Sequence, residues 1–115
     1  MTVKLKETAL HDEKWSEREK KIARDVFDAA VADELASTLA DFKSRAAALA
    51  DPHDMWALED YLRERRRDID QKYDYRYSQL IRVFGQLLRE GRIRDEQLVG
   101  LSERKLDAIR RWAGQ

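Results

Sequence analysis

The chain has 115 residues, of which 40% are charged, and its 23 Lys and Arg residues balance its 23 Asp and Glu residues. This length suits one domain, and the balanced charge excludes a global field that would concentrate polyanions or drive adsorption to membranes. The sequence has no cysteine, which excludes disulfides, thiolate chemistry and cysteine-ligated metals, and its four glycines and one proline favour helices over a sheet.

Residues 1–14 lack the apolar core of a signal peptide, and no run in the chain approaches membrane-spanning length. We expect this N-terminal segment to be flexible. We also expect a soluble, cytoplasmic protein with no integral membrane segment.

The first long helix is predicted over residues 15–50. Ser16 and Glu19 have the spacing of a capping box, in which each side chain bonds the backbone of the other residue. Apolar residues then recur every three or four positions from Ile22 to Leu49, which is the spacing of one helix face.

A second long helix is predicted over residues 52–90. Pro52 cannot continue the first helix, and Asp51 can cap the next one with the proline at its first position. The two helices should therefore fold back as an antiparallel hairpin. Gly85 is the only breaker before Gly91, which is expected to terminate the second helix.

Three tyrosines in "YDYRYSQLI" alternate at Tyr73, Tyr75 and Tyr77, which is also the period of a strand or of a stacking platform. The flanking segments lack the turn residues that a strand would need. A helix is therefore predicted, with Tyr73 and Tyr77 on one face and Tyr75 pointing away.

A small two-helix head is predicted over residues 94–114. A short helix should begin near Asp95, and Ser102 should cap a last helix. Its apolar stripe would comprise Leu106, Ile109 and Trp112 or Ala113. The predicted fold is a single all-α domain over residues 1–115.

A homodimer is also expected, because a chain with so much charge has difficulty burying enough apolar area alone. Met55, Leu58 and Leu62 form an apolar stripe beside the hairpin bend. We assign these three residues to the dimer interface.

Catalysis is not supported by the sequence. The two histidines, His11 and His53, lack metal-binding spacing, and the adjacent Glu59 and Asp60 diverge by about 100° on a helix. We expect no enzyme activity, no metal and no cofactor.

The arginines in "RERRR" beside the tyrosines could contact phosphates and stack on bases. Each arginine, however, has an acidic residue three or four positions away. The expected pairs are Glu59 and Asp60 with Arg63, Asp68 with Arg65, and Asp70 with Arg66 and Arg67. A salt-bridged surface that binds no nucleic acid is therefore predicted.

Trp56 opens the second helix, with Asp60 one turn later and Arg63 near the next turn. A tryptophan beside charged residues has the composition of a protein–protein hot spot. Composition alone instead favours a core tryptophan that packs against the first helix near Phe42 and Leu49.

The stretch "MWALEDYLRERRRDIDQKYDYRYSQLIRVFGQLLREG" resembles the fluorescence recovery protein family of cyanobacteria and its homologues in other bacteria. The string "IDQKYDYRYS" is more distinctive than generic helix, and "WSERE" resembles the first helix of that family. The resemblance covers most of residues 15–91. It implies an all-α homodimer without pigment or cofactor.

The resemblance further implies a regulator that binds the photoactivated orange carotenoid protein and accelerates its return to the resting form, ending phycobilisome quenching. The partner-binding Trp, Asp and Arg of the family correspond to Trp56, Asp60 and Arg66. Arg63 lies among them and is included in the expected partner-binding surface.

Two candidate partner-binding positions depart from the family pattern. Glu59 replaces a histidine, and Arg82 replaces a phenylalanine in the head region. The alternative hypothesis is therefore a helical dimeric interaction module with a different protein partner in a non-photosynthetic organism.

Overall fold

The computed structural model describes residues 14–115, so most of the expected flexible segment 1–14 lies outside the described residues. The helices are α1 (Glu17–Ala47), α2 (Asp54–Lys72), α3 (Leu80–Arg89) and α4 (Glu103–Trp112), with a 3-10 turn at Asp95–Leu98. The all-α prediction is confirmed, and no strand occurs in residues 14–115. None of the helices described is both long and apolar enough to span a bilayer.

The described residues form two compact units. The head unit comprises residues 14–30 and 74–115, and the hairpin unit comprises residues 31–73. Helix α1 contributes its first half to the head unit and its second half to the hairpin unit.

In the hairpin unit, the second half of α1 runs antiparallel to α2, as predicted. The Tyr61 hydroxyl donates to the Asp41 carboxylate, while Arg65, further along α2, reaches Glu34, an earlier residue of α1. Later residues of α2 thus contact earlier residues of α1, which is the pattern of an antiparallel helix pair.

The bend of the hairpin differs from the prediction. Helix α2 begins at Asp54, so neither Asp51 nor Pro52 takes the predicted capping positions. The Asp51 carboxylate instead accepts a hydrogen bond from the His53 backbone N–H at 2.9 Å. Asp51 thus stabilises a turn that precedes the helix, because its short side chain satisfies the nearest free N–H.

The core of the head unit lies between α3 and α4. Its largest fully buried apolar residues are Leu80, Val83, Phe84, Leu87, Leu98 and Ile109. A β-carbon at Gly85 would lie 2.2 Å from the Trp112 β-carbon and 3.0 Å from the carbonyl oxygen of Ile109. Glycine at this position therefore permits the close approach of the two helices.

Local capping signals are confirmed. The Ser16 hydroxyl accepts from the Glu19 N–H at 3.1 Å, and the Glu19 carboxylate accepts from the Ser16 N–H at 3.0 Å. The Ser102 hydroxyl accepts from the Lys105 N–H at 3.2 Å. Gly91, with φ of 74°, ends α3 in the left-handed conformation that glycine adopts without strain.

The prediction of one helix over residues 52–90 is wrong. Helix α2 ends at Lys72, and the chain is not helical again until Leu80. The Tyr75 ring, which was expected to point away, packs nearly perpendicular to Phe27 with centroids 4.8 Å apart. The Arg24 guanidinium lies 3.6 Å from the centroid of the same ring.

These contacts of the Tyr75 ring favour the interruption of the helix between Lys72 and Leu80. An edge-to-face aromatic pair contributes about 0.5–1.5 kcal/mol beyond its buried area, and a cation–π contact adds about 0.5–1 kcal/mol. A backbone hydrogen bond contributes only about 1 kcal/mol net. Tertiary contacts of Tyr75 therefore offset part of the free energy that the segment loses with its helical hydrogen bonds.

Candidate partner-binding surface

Helix α2 displays Trp56, Asp60 and Arg63 in one row, because residues four and three positions apart share a helix face. The Trp56 side chain is 62% exposed. The interpretation of Trp56 as a core residue near Phe42 and Leu49 is therefore wrong. It lies in the first turn after the bend, where the described chain leaves most of the residue uncovered.

The charged residues around this row pair with one another. Arg63 binds Glu59 and lies 3.7 Å from Asp60, and Arg66 lies 3.9 Å from Asp70. All five side chains are more than half exposed. Exposed pairs contribute only about 0–1 kcal/mol, so a binding partner could replace them at little cost.

Arg65 behaves differently from its neighbours. It was expected to pair with Asp68, but its guanidinium binds the Glu34 carboxylate at 2.8 Å. Lys72 binds the same carboxylate at 2.7 Å, and the Tyr73 hydroxyl donates to it at 2.7 Å. This set of four residues, the Glu34 cluster, joins α1 to α2 and anchors the C-terminal end of α2.

The electrostatics of the Glu34 cluster favour an ionised carboxylate. Burial acts to raise the pKa of Glu34, but hydrogen bonds from Lys72, Tyr73 and Arg65 outweigh it and lower the pKa to about 2. Sequence reasoning missed this cluster. The sequence held one signal for it. Glu34 lies four residues after the buried Ala30, on the face of α1 where an apolar residue is expected.

The head unit holds a second buried ion pair that the sequence did not reveal. Lys105 is 2% exposed, and its ammonium binds Glu19 at 3.2 Å and the Lys14 carbonyl at 3.0 Å. The Glu19 carboxylate also accepts from the Ser102 N–H at 2.9 Å. Burial tends to raise the pKa of Glu19, and these donors together with Ser16 lower it overall.

An apolar surface remains uncovered on the hairpin unit. Met55 is 50% exposed, Leu62 is 37% exposed and Leu58 is half-buried, and their spacing places them along one stripe of α2. On α1, Leu35 and Leu39 are each about half exposed. Large exposed apolar side chains at helical spacing are typical of an interaction surface.

Arg82 is the one predicted partner-binding residue outside the hairpin unit. It lies on α3 in the head unit, half-buried, and its Nε donates to the Gln79 side-chain carbonyl at 3.1 Å. The other five predicted residues, Trp56, Glu59, Asp60, Arg63 and Arg66, all lie on α2. Among residues 14–115, no group of three or more His, Asp or Glu residues could hold a metal ion.

Known proteins with the same sequence pattern share this fold. A family model described as "Photoprotection regulator fluorescence recovery protein" matches residues 15–113. The chain is 38% identical over 99 residues to the fluorescence recovery protein of Synechocystis sp. (strain ATCC 27184 / PCC 6803 / Kazusa), covering 86% of this chain and 91% of that relative.

Solved structures of two fluorescence recovery proteins superpose closely on the chain. The structure from Fremyella diplosiphon has a TM-score of 0.84 at 32% identity, and the one from Synechocystis sp. PCC 6803 has a TM-score of 0.84 at 37% identity. Each alignment covers 89% of this chain and all of the solved chain.

Proposed function

Because the chain belongs to the fluorescence recovery protein family of photoprotection regulators, we propose that it binds photoactivated orange carotenoid protein and accelerates its return to the resting form. The release of phycobilisome quenching would follow. The proposed activity is non-enzymatic and cytoplasmic. A regulator of this kind shifts a population only by its differential affinity for the two states, and it speeds the return by stabilising the transition between them.

The exposed Trp56 is the observation that carries this proposal. A tryptophan that is 62% exposed has an apolar ring available for burial by a partner. Asp60 and Arg63 on the same face, with Arg66 on the next turn, supply polar contacts around it. An aromatic anchor with a charged rim is the usual anatomy of an interface hot spot.

The test is the recovery of photoactivated orange carotenoid protein in the dark, followed by absorbance with and without the full chain. We expect faster recovery with the chain, and roughly tenfold less acceleration by Trp56→Ala, since loss of a hot spot costs more than about 1.4 kcal/mol. Val99→Ala is the matched control, because Val99 is 69% exposed on the head unit. An unchanged recovery rate at large molar excess of the chain would refute the proposal.

A second candidate function is a helical interaction module for a different protein partner. It is favoured by Glu59, which engages Arg63, and by Arg82, because both residues depart from the family pattern. The double variant Glu59→His with Arg82→Phe distinguishes the two functions. If this variant accelerates recovery and the natural chain does not, the natural chain serves another partner.

We further propose that the chain is a homodimer whose interface includes Met55, Leu58 and Leu62. The exposed stripe of these residues and the exposed Leu35 and Leu39 support this proposal. Met55→Lys should give monomers in size-exclusion chromatography with light scattering, because a lysine at the interface would be desolvated without a partner. Val99→Lys, a charge at an exposed apolar position of the head unit, should remain dimeric. A dimeric Met55→Lys variant would contradict this interface.

A further inference from the structure

A cavity of about 380 Å³ opens on the head unit between α3 and α4. Its apolar lining includes Ile81, Ala108 and the side chain of Trp112, which is 52% exposed. Arg82 and Arg111 also line it. Its volume lies within the range of ordinary ligand-binding clefts.

The charge of this cavity has one sign. Among the residues of 14–115 that line it, none is Asp or Glu, while two carry guanidinium groups. Arg82 bonds the neutral side chain of Gln79, and Arg111 is exposed in the last turn of α4. Asp74 interacts electrostatically with Arg82, but its carboxylate accepts a hydrogen bond from the Arg76 Nε at 2.9 Å. The cavity therefore combines an indole with two cations and has no internal counter-charge.

We propose that this cavity binds an acidic segment of the protein partner, in which a carboxylate lies beside a bulky apolar side chain. The proposal rests on the proposed function only in taking the partner to be a protein. The carboxylate would accept charge-assisted hydrogen bonds from Arg82 and Arg111, and the apolar side chain would pack on Trp112. Arginine and tryptophan are the residues most enriched in interface hot spots.

Arg82 is the specificity-determining residue in this arrangement. A purely apolar partner segment would desolvate its guanidinium without providing a counter-charge, which disfavours binding. Phenylalanine at this position, as in the family pattern, would accept such a segment. The substitution therefore changes the preferred partner group from apolar to acidic.

The test uses the full chain labelled with nitrogen-15 and two synthetic peptides at up to millimolar concentration. One peptide is acetyl-Gly-Asp-Phe-Glu-Leu-Gly-amide, and the other replaces its Asp and Glu by Asn and Gln. We expect saturable shifts of the Arg82 Nε and Trp112 Nε1 signals with the acidic peptide, and binding weaker by at least roughly tenfold with the amide peptide.

Substitutions of single arginines test whether the acidic peptide binds at the cavity. Arg82→Gln and Arg111→Gln should each weaken binding of the acidic peptide several-fold, whereas Arg89→Gln, at an exposed arginine near the end of α3 and outside the cavity, should not. The unperturbed amide signals of each variant report whether it is folded. Equal binding of the two peptides, absence of shifts at the cavity, or equal loss in Arg89→Gln would overturn the inference.

This experiment is independent of the carotenoid protein. Acidic-peptide binding at the cavity without acceleration of carotenoid-protein recovery would refute the proposed function and support the inference. Acceleration of recovery without peptide binding at the cavity would support the proposed function and overturn the inference.

Discussion

Replacement of Glu34 by glutamine should destabilise the protein more than any change to its exposed charges. The Glu34 carboxylate is 1% exposed and binds Arg65, Lys72 and Tyr73. Glutamine keeps the size of the side chain but removes the charge. The variant would leave two cations in this cluster without their shared counter-charge.

The magnitude follows from two observations. The pKa of Glu34 falls from 4.5 to about 2 on folding, and at about 1.4 kcal/mol per pKa unit this corresponds to a stabilisation on the order of 3 kcal/mol. Breaking a buried ion pair costs about 3–5 kcal/mol, and the 29% exposure of the Arg65 side chain moves the expectation to the low end of that range. We expect Glu34→Gln to lower the free energy of unfolding at neutral pH by about 3 kcal/mol.

Urea denaturation followed by far-ultraviolet circular dichroism measures this change, with protein concentration held constant because dimerisation would couple stability to concentration. Since the folded-state pKa lies below the unfolded value, the stabilisation is complete above about pH 4.5 and is lost as the pH falls towards 2. The difference between the natural chain and Glu34→Gln should therefore narrow over this range.

Glu64→Gln is the control, because Glu64 is an exposed carboxylate on the same hairpin unit. It should change the free energy of unfolding by less than about 0.5 kcal/mol. The reasoning is refuted if Glu34→Gln costs less than about 1 kcal/mol, or if its deficit is the same at low pH as at neutral pH.

The remaining predictions concern packing and surface charge. Gly85→Ala should lower the free energy of unfolding by about 2 kcal/mol or more, because the added methyl would meet Trp112; Gly91→Ala, where φ is 74° but the space is open, should cost about 1 kcal/mol. Tyr75→Ala should cost about 2 kcal/mol, whereas Tyr75→Phe should be nearly neutral, since the ring makes the close contacts and the hydroxyl bond is long at 3.5 Å. Arg63→Ala should change stability by less than about 1 kcal/mol, because its ion pairs are exposed. Urea titration measures all of these changes, and a Tyr75→Phe cost equal to that of Tyr75→Ala would assign the role to the hydroxyl instead.

Features that depend on a few adjacent residues were predictable from the sequence. The Ser16–Glu19 capping box, the Ser102 cap and the Gly91 terminus are all present as predicted. Each of these is a short-range exchange of hydrogen bonds, or one residue's tolerance of an unusual φ, so neighbouring letters contain the necessary information. The predicted Asp51 cap is absent because its carboxylate accepts from the His53 N–H in a turn that precedes the helix.

Features that depend on distant residues were not predictable. The period of the apolar residues is compatible with one helix through Tyr73–Tyr77, but in the folded chain this segment is not helical and Tyr75 packs against the distant Phe27 and Arg24. Exposure of Trp56 likewise depends on which side chains α1 presents across the hairpin. A one-dimensional pattern contains the tendency of each segment but not the identity of its neighbour in space.

The sequence by itself determined the helical class, the capping features at Ser16, Ser102 and Gly91 and, through "IDQKYDYRYS", the family. The tertiary structure decided where that string leaves the helix: α2 ends at Lys72, and the Tyr75 ring packs against Phe27 and Arg24 of α1. It also decided which charges have structural roles, because burial separates the Glu34 cluster from the exposed pairs around Trp56. The interaction of a carboxylate with several cations is strong only where water is excluded, and only the folded chain excludes water.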